Sequence, residues 1–140
     1  MKIYNEHIVY DIAPYQSRIL ISTSSLVAIP IYFAYQRGLY FYMITTFGTG
    51  FCSILYWFHP IHGWRRNLDL FYAKYSFLVY LASGLFLLPG GLISLVFYVG
   101  AISLIRCYFL SLSYPEKWLY YHILFHLISI ATKTHVILSI

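Results

Sequence analysis

Apolar residues along the chain gather into five stretches, near residues 19–35, 39–58, 70–88, 92–112 and 114–131, separated by short polar or turn-forming breaks. Each approaches the roughly 20 apolar residues that a helix needs to cross a bilayer. The pattern predicts an all-α, polytopic bundle of about five transmembrane helices in a single membrane domain, residues 1–140. Ser22, Thr23, Ser24 and Ser25 soften the first stretch, and Pro30 is expected to bend it. Pro89, Gly90 and Gly91 form an uncharged turn, so the third and fourth spans should make a tight hairpin. Ser113, Tyr114, Pro115 and Glu116 resemble a helix start, with Ser113 as cap and Glu116 three residues on.

The flanks differ from the spans. Residues 1–18 carry Lys2, Glu6, His7, Asp11 and Arg18, with Tyr4, Ile8 and Ile12 at four-residue spacing, as in a short interfacial segment ending near Pro14. No secretory signal is readable there, and the first span is expected to stay as an anchor. Residues 132–140 read as a short tail. No internal repeat is evident.

Composition sharpens the membrane reading. Only 9% of residues are charged, against 61% apolar and 21% aromatic, where soluble domains carry about 25% charged residues. That excludes a water-soluble globular domain. Lys and Arg favour the cytoplasmic side of short loops, and an inside N-terminus collects Lys2, Arg18, Arg65, Arg66, Lys74, Arg106 and Lys117 there, leaving Arg37 and Lys133 outside. Trp57, Trp64 and Trp118 fall at the same inner boundary, as interfacial tryptophans should. The net charge of +5 therefore points to topology and anionic lipid, not nucleic acid. Cys52 and Cys107 sit in apolar runs and read as small buried hydrophobes. The expected location is a multi-pass integral membrane protein, its particular membrane unspecified.

Polar residues that lipid makes expensive are the informative ones. His59 closes the second span, Asp69 opens the third, and His122 and His126 lie within the fifth. His122 and His126 are four apart, so their imidazoles share a helical face about 6 Å apart. Three histidines from two helices can close three corners of a tetrahedral zinc site, the fourth left for water. Each residue has a plainer alternative. The histidine pair can hydrogen-bond between helices, His59 can be an interfacial group, and Asp69 can cap the third span at its positive end. Arg65 and Arg66 read as anchors for lipid head groups. His62 is an alternative ligand to His59, while His7 and His135 fit no pattern.

A serine and a histidine late in the second span, an aspartate at the start of the third and His-x-x-x-His in the last resemble the integral-membrane hydrolase superfamily of alkaline ceramidases and progestin and adiponectin receptors. The matching residues are Ser53, His59, Asp69, His122 and His126. The resemblance implies zinc on the three histidines, with Asp69 and Ser53 orienting or activating metal-bound water. It covers residues 53–69 and 118–126. The family has seven spans where this chain accommodates five, and Ser53 lies six residues before His59, on another helical face.

Two functions are therefore expected side by side. One is a zinc-dependent hydrolase of a lipid amide or ester, in which the metal lowers the pKa of its water and polarises the carbonyl. The other is a non-catalytic membrane-embedded subunit of a larger assembly, an organellar complex or virion membrane, with other membrane subunits or further copies of itself as partners. The small residues Gly48, Thr49, Cys52 and Ser53 offer such an assembly a close-approach face. Haem ligation by His122 or His126 with His59 is a third reading. Transport has no support, since no span carries a conspicuous buried pair of opposite charges.

Overall fold

A computed structural model of the chain describes residues 12–60 and 63–140. Most of the expected interfacial segment, together with His7 and His62, lies outside the described residues. The described chain is all-helical: α1 (Pro14–Ser25), α2 (Ala28–Gln36), α3 (Tyr40–Phe58), α4 (Trp64–Phe86), α5 (Gly91–Ser113), a 3-10 turn (Pro115–Lys117) and α6 (Trp118–Ser139). Three segments are long and apolar enough to cross a membrane by length and composition: Pro14–Gln36, Gly91–Ser113 and Pro115–Ser139. Helices α3 and α4, at 19 and 23 residues, have comparable length. Tyrosine, threonine and glycine dilute the hydropathy of the first, and Arg65, Arg66, Asp69 and Lys74 that of the second.

The distribution of side chains is inverted relative to a soluble protein. Ser24, Thr45, Thr46, Ser53, Ser76, Ser83, Ser111, Thr132 and Lys133 are buried, while Phe47, Phe58, Phe86, Leu92 and Ile102 are among many large apolar residues facing outward. Lipid is the solvent that makes such an exterior inexpensive, and inward hydroxyls then hold helices together through hydrogen bonds. Thr46 Oγ1 lies 2.7 Å from Tyr80 Oη, and Tyr42 Oη lies 2.7 Å from Ser83 Oγ, both joining α3 to α4.

Two apolar cores occupy opposite ends of the bundle. Leu20, Tyr56 and Trp57 form one, with Trp118, Leu119 and Ile123 against it. Ala34, Tyr80, Phe97, Ala101, Val136 and Ile137 form the other. Helix α6 runs through both, and packs most extensively on α5 while also touching α1, α2 and α4.

Several local features differ from the sequence reading, each for a physical reason. The break between α1 and α2 falls at Leu26 and Val27, not at Pro30. Pro30 has no N–H to offer the carbonyl four residues back, so the Leu26 carbonyl accepts from Ile29 N at 3.0 Å instead. Ser113 does not start a helix: α5 runs through it, and Tyr114, extended ahead of Pro115 as pre-proline residues are, precedes the 3-10 turn without any side-chain cap. Nor does Asp69 cap α4, which begins five residues earlier at Trp64. Residues 132–139, expected as a tail, continue α6.

Gly90 and Gly91 take φ of +90° and +60°, conformations that favour glycine, and turn the chain between α4 and α5. The two helices touch closely near that turn, where Phe97 covers Gly84 so tightly that a Cβ would overlap its ring. Further from the turn an apolar groove lies between them, walled by residues such as Leu70, Leu78, Ile105 and Phe109.

Candidate functional site

The polar residues singled out in the sequence divide into a cluster between α1, α3 and α6 and two outliers. Helix α6 supplies the pair at four-residue spacing: the rings of His122 and His126 have centroids 4.7 Å apart at an interplanar angle of 71°. His126 Nδ1 lies 2.7 Å from Thr23 Oγ1 on α1, a hydrogen bond between residues 103 positions apart. On α1 the neighbouring Ser24 Oγ lies 2.9 Å from Ser53 Oγ of α3, and both serines are buried. Thus Ser53 is inside the bundle and already paired.

The ring that α3 presents to His122 is Trp57. Its centroid lies 5.2 Å from that of His122 at 77°, an edge-to-face contact, and Trp118 stacks on Trp57 at 6.4 Å while also lying 6.4 Å from His122. Trp57 is 3% exposed and its indole Nε1 has no hydrogen-bond partner in the described structure. Ser53 and Trp57 are four residues apart and share the inward face of α3. His59, two residues beyond Trp57 and past the end of the helix, is exposed. Phe125 adds a further ring beside His122, with centroids 5.9 Å apart.

Asp69 is half-buried on α4 and lies in electrostatic reach of Cys52 and Tyr56, with Arg66 also acting on Tyr56. It forms no ion pair or hydrogen bond with the described residues. Arg65 folds over the exposed Trp64 ring, its Cζ 5.4 Å from the centroid, in keeping with an interfacial pair. Among the described residues no three of His, Cys, Asp and Glu are grouped to hold a metal ion. Two imidazoles alone leave a zinc site two protein ligands short of a structural site and one short of a catalytic one.

The small-residue face expected on α3 is used within the chain. Tyr72 of α4 lies against Gly48, where an added Cβ would come within 2.9 Å of its ring, and Val27, at the α1–α2 break, fills the space over Gly50.

Three polar residues to which the sequence reading gives no part in the site make contacts between helices. Thr23 is hidden in a run of four hydroxyl residues, any of which can bond its own helix, as Ser22 and Ser25 do here. Arg37 donates from Nη1 to the Ile137 carbonyl and from Nη2 to the Ile140 carbonyl, each at 2.6 Å, and so closes the C-terminal end of α6. Lys133 is buried against Tyr80; its position sixteen residues into the last helix was the available signal. No family model, curated protein or solved structure matches this chain.

Proposed function

We propose that the protein is a five-span integral membrane protein with its N-terminus inside, acting as a non-catalytic, membrane-embedded component of a larger assembly. The observation that carries this reading is the Thr23–His126 hydrogen bond at 2.7 Å. The residues with catalytic potential are engaged in holding helices: His126 with Thr23, Ser53 with Ser24, His122 within aromatic rings. Hydrogen bonds of this kind stabilise membrane helices by about 0.6 kcal/mol on average and up to about 1.7. Aromatic side chains spread over the outward surfaces of α3 and α4, including Phe41, Phe47, Phe51, Phe71 and Tyr75, supply contact area for neighbouring subunits or a second copy.

A double-mutant cycle tests the structural role. Thr23→Val and His126→Leu, singly and together, are unfolded in detergent with the wild type beside them. The expected coupling energy is about 1 kcal/mol; additive effects with no coupling would remove the basis of this reading.

The imidazole pair at 4.7 Å favours a second reading. In it His122 and His126 hold zinc with His59, Asp69 acts as general base and Ser53 orients the water, as the resemblance to the ceramidase and adiponectin-receptor superfamily implies, and Arg65 and Arg66 hold an anionic lipid head group. It requires His59 to turn inward past Trp57. Metal content distinguishes the two readings.

A further inference from the structure

Lys133 is 7% exposed, and the 15 residues separating it from Trp118 put it about 22 Å along α6. That depth lies within the roughly 30 Å hydrocarbon layer, toward the boundary opposite the tryptophans. Its side chain does not reach out of the bundle; the ammonium Nζ sits 5.5 Å from the centre of the Tyr80 ring. With the described residues it forms no ion pair and no hydrogen bond. A cation–π contact offsets only part of the cost of removing an ammonium from water, so an unpaired lysine here is expensive unless something anionic joins it.

The space beside Lys133 is suited to such a group. A cavity of about 70 Å³ is bordered by Lys133, Tyr80, Thr132, Ser129 and Thr49, with apolar residues on its remaining walls. Four residues, Ala73, Phe77, Leu104 and Phe125, wall both this cavity and the groove of about 450 Å³ between α4 and α5. The groove is apolar apart from Lys74 and Tyr108, and its lips Leu78, Ile105 and Phe109 are exposed on the outer face of the bundle.

We propose that cavity and groove together bind a single-chain carboxylic acid of the fatty-acid class, its carboxylate on Lys133 and its acyl chain in the groove. The lysine supplies the positive charge and Ser129 a hydroxyl at the cavity border, while the Thr49 hydroxyl donates to the Thr45 carbonyl and that of Thr132 lies over Gly100. The small cavity admits a carboxylate more readily than the glycerol and phosphate of a two-chain lipid. Polarity also runs in the right direction. Lys133 lies toward one boundary and the groove extends from there toward the tryptophan end, so the bound acid keeps the orientation of a lipid in that leaflet. The inference is independent of whether the histidine cluster holds a metal.

Fluorescent cis-parinaric acid, titrated into the full-length protein in detergent, is the probe. One saturable site per chain is expected, with displacement by oleic acid and none by methyl oleate or chloride. Lys133→Met should weaken binding at least tenfold, while Lys117→Met, at an exposed lysine that borders neither the cavity nor the groove, leaves it unchanged. Equal displacement by methyl oleate, displacement by chloride, equal loss on Lys117→Met, or unaltered binding to a helical Lys133→Met protein would each overturn the proposal. If Lys133→Met does not fold, the comparison of acid with ester on the wild-type chain decides the matter.

Discussion

The indole of Trp57 meets the imidazole of His122 edge-on, ring centroids 5.2 Å apart, at the place where a third metal ligand from α3 would have to stand. A Trp Nε1–H is a donor only and cannot bind zinc. Three aromatic rings, Trp57, Trp118 and Phe125, pack around the half-buried His122.

That relationship predicts a gain of function. Trp57→His replaces the indole with an imidazole beside His122, itself 4.7 Å from His126, giving three imidazoles from two helices. The variant is expected to bind about one zinc per chain, measured by mass spectrometry after equilibration with zinc, and Trp57→His combined with His122→Ala to bind none. Zinc bound equally by both variants would show that position 57 does not face the histidine pair.

Gly84 is required by the ring of Phe97. Gly84→Ala forces that ring or the α4–α5 pair to shift, and overpacking of this kind costs about 1–3 kcal/mol. Thermal unfolding in detergent should show the loss. Adding Phe97→Leu, which vacates the space over residue 84, should return part of it, whereas a further loss on combination would mean that the contact is not the cause.

Arg37 closes the last turn of α6 by donating to the Ile137 and Ile140 carbonyls. Helix ends leave carbonyls without partners, and a cation there also complements the helix dipole. Because the site is partly solvent-exposed, Arg37→Met is expected to cost only about 1 kcal/mol. Hydrogen exchange of the amides at residues 137–140 should then accelerate about fivefold, with no change at residues 122–126. Unchanged exchange at the terminus would remove the clamp.

Much of the architecture is legible in the apolar pattern, because helix formation in lipid is dictated by the need to satisfy every backbone group. The hydroxyl run at residues 22–25, the Pro89–Gly90–Gly91 turn and the His122–His126 face were all readable. The rotation of α3 about its axis was not. Ser53 and Trp57 lie on one face and His59 beyond the helix on another, and only packing against α1 and α6 decides which face turns inward. Similarly, Pro30 announced a break but acted four residues upstream, since it is the Leu26 carbonyl that loses its partner. Lys133 read as a cation in a tail because the apolar pattern thins after Ala131, while its burial depends on Tyr80 and the cavity walls, which come from distant parts of the chain.

The most direct test of a structural rather than metal-bearing histidine cluster is the zinc content of wild-type protein purified in detergent without chelators, beside a folded His122→Ala/His126→Ala double mutant. Far less than one zinc per chain is expected in both, with no change in unfolding temperature of the wild type on adding a chelator. About one zinc per wild-type chain, absent from the double mutant, would contradict it and make the hydrolase reading the one to pursue with lipid amides and esters.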